Sequence, residues 1–185
     1  MIKPLFLSLL TLISLPIISR AEAEEAKAAP MDQLELKVLE VSTETDQRNI
    51  KMTTGEVIRN RQLQKVLEYE LHNKSDQPAR EVEVRILWVS TTKTSDIEYR
   101  QIIGNGKRTY TLAPGKVVKG TFQSGKINAL TNQRGRSRGL AVKSKIDGYN
   151  IRLVYQGEEK IVAADPSRMV KIRPNPEMPT QILEE

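Results

Sequence analysis

Between Val66 and Val89 the chain alternates apolar and polar positions twice: Leu67, Tyr69 and Leu71 before a polar turn at Asn73-Lys74-Ser75, then Val82, Val84, Ile86 and Trp88 after it. A period of two residues puts one face of each segment toward a core and the other toward water, so both read as half-buried strands. Upstream, Leu34, Leu36 and Val38 share a face, and the phase then shifts to Leu39 and Val41, which predicts a β-bulge. A weaker strand, Arg48 to Thr53, leads through Thr54-Gly55 to a returning segment at Glu56 to Asn60. Downstream, Ile97 to Ile103 meets Gly104-Asn105-Gly106, where Asn-Gly predicts a tight hairpin turn back into Arg108 to Leu112.

Ala113-Pro114-Gly115 marks the next reversal, followed by Val117 to Gln123 with Val118 and Phe122 on one face. Ser124 to Arg138 lacks apolar alternation and reads as a long exposed loop. Leu140, Val142 and Ile146 resume the period, Asp147-Gly148 predicts a second hairpin turn, and Tyr149, Ile151, Leu153 and Tyr155 line the returning strand. Gln156-Gly157-Glu158 turns into Lys160 to Ala164, Asp165-Pro166-Ser167 stops it, and Met169 to Ile172 forms a short last piece. Eight to ten short strands with no helical period predict an all-β, antiparallel β-sandwich over residues 33–173.

The flanks differ in kind. Lys3, the apolar run Leu5 to Ile18 and the small residues Ser19 and Ala21 form a signal peptide, residues 1–21, cleaved after Ala21. The run is interrupted by Pro16 and is shorter than the ~20 residues a membrane span needs. Residues 22–32, rich in Ala and Glu, read as a linker, and 174–185, with Pro174, Pro176 and Pro179, as a flexible tail. The chain has no cysteine, so it carries neither a lipid-modified cysteine nor a disulfide. An exported, cysteine-free chain points to the bacterial periplasm or to secretion, and not to a lipoprotein.

Leu71-His72-Asn73-Lys74-Ser75, with Val82 and Val84 beyond, resembles the turn between early strands of bacterial extracytoplasmic immunoglobulin-like or fibronectin-type-III-like modules. Leu112-Ala113-Pro114-Gly115, followed by Val118 and Phe122, is similar to the turn such modules place before a later strand. The resemblance covers Val66 to about Tyr155. It implies an immunoglobulin-like sandwich with an adhesive, scaffolding or carbohydrate-adjacent role, and it carries over no catalytic residue.

Charge adds one feature the fold does not require. Removing Lys3 and Arg20 with the signal leaves 27 basic against 23 acidic residues, yet between Glu98 and Asp147 there are eleven Lys or Arg and no Asp or Glu. Arg134, Arg136 and Arg138, flanked by Lys126, Lys143 and Lys145, form a candidate anion-binding site, since guanidinium and ammonium groups recognise phosphate, carboxylate or sulfate. The alternative is a solvated loop that keeps strand edges from aggregating. Other chemistry is weakly supported. Asn73-Lys74-Ser75 is formally a glycosylation acceptor. His72 is the single histidine and lacks the partners that a metal or a general base requires. Glu68 with Glu70 and Glu81 with Glu83 lie on polar strand faces, and Trp88 falls in phase with the core. The sequence therefore predicts no enzyme, no metal and no cofactor. It predicts an exported interaction or scaffold module of the cell envelope with protein partners, or alternatively a binder of an anionic polymer or lipid surface. Nucleic acid is not expected, because the basic loop has no aromatic residue on which bases could stack.

Overall fold

A computed structural model describes residues 28–53, 55, 57–94, 97–132, 142–172 and 182–183. Among these, nine strands run in chain order: β1 (Leu34–Lys51), β2 (Val57–Asn73), β3 (Ala79–Lys93), β4 (Glu98–Leu112), β5 (Val117–Gln123), β6 (Ile127–Asn132), β7 (Lys143–Tyr155), β8 (Glu158–Asp165) and β9 (Ile182–Leu183). They form two antiparallel sheets stacked as a sandwich. One has the order β1-β2-β5, with β6 following β5 end to end along the same edge of β2; the other has the order β8-β7-β3-β4-β9.

The strands at Val66 to Val89 fall in different sheets. Residues 66–73 close β2 and residues 79–89 open β3, so the polar turn between them is an arch from one sheet to the other. Their apolar faces meet across the core: Leu67, Tyr69 and Leu71 from one side, and Val82, Val84, Ile86 and Trp88 from the other, join Tyr149, Ile151 and Leu153 of β7. Each fully buried aliphatic side chain there contributes roughly 1.5–3 kcal/mol relative to exposure. Trp88 is wholly buried, with its ring 5.5 Å from that of Tyr149. The phase shift in β1 is a bulge between Val38 and Glu40. Gln156 and Gly157, both with positive φ, turn β7 into β8.

Two expected hairpins are absent for one reason. β4 runs unbroken through Gly104-Asn105-Gly106, and β7 runs unbroken through Asp147-Gly148. These glycines serve close approach instead of turning: a Cβ on Gly106 would lie 2.7 Å from the Phe122 ring, and one on Gly148 would lie 1.8 Å from the Asp165 carbonyl oxygen.

β3 is also buried on both faces from Ile86 to Thr92. Leu87, Val89 and Ile102 pack on its outer side against Met169, which sits in a 3₁₀ helix, Ser167–Lys171. Asn150 and Arg152 hold that helix down. Asn150 Nδ2 donates to the Met169 carbonyl at 2.8 Å and Arg152 donates to the Ile172 carbonyl at 2.6 Å. The chain then re-enters the sheet at its opposite edge, where Ile182–Leu183 pair with Gln101 and Arg100 of β4. This part of the expected free tail is thus a strand. At the other end of the domain, Ala29 of the expected linker is buried in the core, and its N–H donates to the Pro78 carbonyl. The signal peptide, the linker up to residue 27 and the tail at 174–181 and 184–185 lie outside the described residues.

The arch from β2 to β3 and a second arch from β4 to β5, residues 113–116, both cross at one pole of the sandwich, and Asn73 ties them together. Its Nδ2 donates to the carbonyls of Gln77 at 2.7 Å and Ala113 at 3.2 Å, while its Oδ1 accepts from the backbone N–H of Ser75 at 3.1 Å and from the Ser75 hydroxyl at 2.7 Å. The atom that glycosylation would modify is therefore wholly buried and occupied, which removes the acceptor reading for the folded chain.

Candidate functional site

Of the six expected anion-binding residues, the three lysines within the described residues are set apart. Arg134, Arg136 and Arg138 lie outside the described residues. Lys126 sits in the break between β5 and β6, on the core side of the opposite pole. Lys143 and Lys145 alternate with Ser144 on β7 and face the other way, across the outer surface of that sheet. There Lys145 lies 3.0 Å from Asp147, whose carboxylate is 2% exposed. The Thr91 hydroxyl donates to the same carboxylate, and Arg100 lies 3.8 Å away. Asp147 occupies an irregularity in the β3–β7 register beside Gly148, which turns its side chain into this group.

Part of the excess of positive charge along residues 99–146 is an effect of reading the chain in one dimension. Antiparallel pairing sets acids of β2 and β3 beside bases of β4 and β5: Lys107 lies 3.0 Å from Glu83, and Lys119 lies 4.0 Å from Glu70. Hydrogen bonds from Arg85 first and Lys107 second hold the Glu83 carboxyl below its ordinary range. Lys126 and Lys143 make no ion pair with the described residues.

Lys126 lines a cavity of about 370 Å³ at the pole opposite Asn73. Thr92, Tyr99, Gln101, Ile103 and Ser144 contribute from one sheet, Ile127 and Asn128 from β6, and Val142, just before β7, bridges to Leu130 of β6. The reason for the opening is legible in the inward row of β3, which reads Val82, Val84, Ile86, Trp88 and then Ser90 and Thr92. Where the row turns polar the side chains are small, and a cavity is left beside Thr92. Thr92 and Ser144 share a hydroxyl contact of 3.1 Å on its wall. Among the described residues the lining offers hydroxyls, amides and a single cation, with no carboxylate. It can hydrogen-bond a hydrated polar group and attract an anion.

A second feature carries no sequence motif. β1 continues ten residues past the core, Ser42–Lys51, and every one of those side chains is exposed. At ~3.3 Å per residue this half-strand extends about 33 Å. It pairs residue for residue with Val57–Val66 of β2, and β6 flanks β2 on the other side as far as Ile58. β1 is the end strand of its sheet, so its outer row of N–H and C=O groups pairs with no described strand. Ile50 and Met52 at the tip are 45% and 43% exposed. Sequence reasoning read only a weak strand here, because the segment is polar on both faces and leaves no period to detect. The signal was the length of the polar stretch itself: a strand buried on neither face is not held by the core.

No group of three or more His, Asp or Glu side chains suited to a metal ion occurs among the described residues. His72 lies within β2, opposite Glu35 and Val117. Compared with known protein families and with curated proteins, the chain matches none.

Proposed function

We propose that this chain is a non-catalytic interaction or scaffold module of the bacterial cell envelope, an exported immunoglobulin-like sandwich that docks a protein partner through the arm of β1 and β2. The arm carries the reading. Ordering a residue costs roughly 1–2 kcal/mol of backbone entropy, and ten residues of β1 return no core burial for it. An extended, unpaired strand edge is the feature through which β-proteins add a strand from a partner. The immunoglobulin-like reading is supported by strand order: β1, β2 and β5 fall where such domains place their first, second and fifth strands, and β8, β7, β3 and β4 form the facing sheet. Export is supported by the amino-terminal residues and by the absence of cysteine.

Photo-cross-linking residues introduced at Thr45 in the arm and at Lys160 on β8 test the reading in intact cells. Capture from the envelope fraction should yield protein adducts from position 45 and none from position 160. The mature chain should begin at Glu22. Absence of any adduct, together with hydrolysis of an envelope substrate by the purified protein, would overturn the proposal.

A second reading, binding of an anionic envelope polymer or membrane surface, rests on Lys126 in the polar cavity. It predicts salt-sensitive retention on anionic matrices that Lys126→Gln weakens. Unchanged retention would remove the cavity from consideration.

A further inference from the structure

The outer edge of β1 pairs with no described strand, and its charges are not distributed at random. Reading toward the tip, Glu40, Glu44 and Asp46 come first and Arg48 and Lys51 last. A strand that is acidic and then basic is complementary to itself when reversed. We propose that a second copy of this chain occupies the edge, the two β1 strands pairing antiparallel about a two-fold axis at Gln47. The proposal rests on the reading of the arm as an interaction surface and names the partner.

Two-fold symmetry restricts the register sharply. Residues directly opposite one another in an antiparallel pair project to the same side of the sheet. An axis relating two neighbouring antiparallel strands must therefore stand perpendicular to the sheet, and it places one residue opposite itself. Centred on Thr45, the register sets Glu44 against Asp46 of the second copy, twice. Centred on Asp46 or on Arg48, it sets that charge against itself. Centred on Asn49, it leaves Arg48 opposite Ile50 and Asp46 opposite Met52.

Only the register centred on Gln47 sets opposite charges against one another with no like-charge pair. Asp46 then faces Arg48 of the second copy, and the reverse pair forms by symmetry. Thr45 faces Asn49, Thr43 faces Lys51, and Glu44 faces Ile50 with Arg48 of the second copy diagonal to it. Within one chain Asp46 and Arg48 already lie 3.1 Å apart on one face, and both are exposed. Pairing would join them into a group of four alternating charges. Such a contact uses the same surface on both copies and closes on itself, making one continuous sheet of the two arms.

The absence of cysteine makes the register directly readable. Opposed Cα atoms in an antiparallel pair lie ~4.5 or ~5.5 Å apart, within the ~4.4–6.8 Å that a disulfide spans. Gln47→Cys should therefore oxidise to a covalent dimer. Thr45→Cys and Asn49→Cys should not cross-link alone but should cross-link when mixed. In analytical ultracentrifugation the unmodified mature chain should dimerise. Asp46→Lys should weaken the dimer by roughly tenfold or more, since two attractive cross-strand pairs become repulsive, and adding Arg48→Asp should restore it. Circular dichroism should be unchanged by these exposed substitutions, which checks that the fold is intact. Self-cross-linking at position 45 in place of 47 would overturn the register. A monomeric wild-type chain whose arm still cross-links to other envelope proteins would overturn the second-copy proposal and leave the interaction reading standing. Failure of both experiments would remove both.

Discussion

Replacing Asn73 tests whether one side chain holds the closed pole of the sandwich. Asn73→Ala leaves the carbonyls of Gln77 and Ala113 and the N–H of Ser75 without their present partner, at a position with no solvent exposure. An unsatisfied buried polar group costs about 1–3 kcal/mol, and relaxation of the Ser75 hydroxyl, already 2.8 Å from the Gln77 carbonyl, recovers part of the loss. The expected destabilisation is about 3–5 kcal/mol, a large share of the roughly 5–15 kcal/mol available to a domain. Asn73→Asp is sharper because it conserves shape while placing an oxygen where Nδ2 donated to two carbonyls. Burial facing carbonyl oxygens raises the introduced carboxyl above its unfolded value of about 3.9. For a raised acid, stability is present below the unfolded pKa and lost as pH rises through the folded one. The aspartate variant should thus be at least as destabilised as the alanine variant at neutral pH, and should recover as pH falls. Guanidinium denaturation followed by fluorescence of the single tryptophan, buried at Trp88, reads both variants. An alanine variant within about 1 kcal/mol of wild type, or an aspartate variant more stable than it at neutral pH, would refute the reasoning.

Two further substitutions separate packing from turn chemistry and burial from exposure. Gly106→Ala brings a methyl group within 3.1 Å of Ile86 and closer still to Phe122, a buried ring that stacks on Tyr69 at 5.2 Å. It should cost about 1–3 kcal/mol, whereas Asn105→Ala, at an exposed position of the same strand, should stay within about 0.5 kcal/mol; equal costs in denaturation would restore the turn interpretation. Burial first, and then the hydrogen bond to Tyr110, raises the Tyr69 phenol above its ordinary 10.0, and burial raises Tyr149 and Tyr155 in the same direction. Folded pKa values above unfolded ones mean stability that is full below about pH 10 and lost as pH rises further. The denaturation midpoint should therefore fall above about pH 10, less steeply in Tyr69→Phe, and a flat profile there would contradict the burial of these phenols.

Strand content and core were legible in the sequence because they depend on periodicity alone. The alternation around Tyr69 and Trp88, the bulge after Val38 and the turn at Gln156-Gly157 all act through neighbouring residues, and all are present. The partners of those strands were not legible. Asn105-Gly106 and Asp147-Gly148 carry strong turn chemistry, yet each glycine is required by a ring or carbonyl that approaches from a distant part of the chain. A polar turn between two alternating strands, as at Asn73, fits a hairpin or an arch equally well. Which it is depends on whether the strands share hydrogen bonds or an apolar core. One local signal did point outward: the unbroken apolar run Ile86-Leu87-Trp88-Val89 is too apolar for a half-exposed strand. It lies under the 3₁₀ helix at Ser167–Lys171.

The same distinction governs the candidate site. A run of basic residues suggested a surface patch, but charge along a β-chain does not predict charge across a sheet, since antiparallel pairing brings each strand beside a segment of different composition. Glu83 and Glu70 meet Lys107 and Lys119 in this way. The described residues point instead to a lysine at a polar opening and to an arm with no basic signature. The arm shows what periodicity cannot detect: a stretch such as Ser42–Lys51 has no apolar face from which to infer its position. Among the described strands it pairs with β2 alone, so the backbone edge it presents is what distinguishes it from a loop of the same composition.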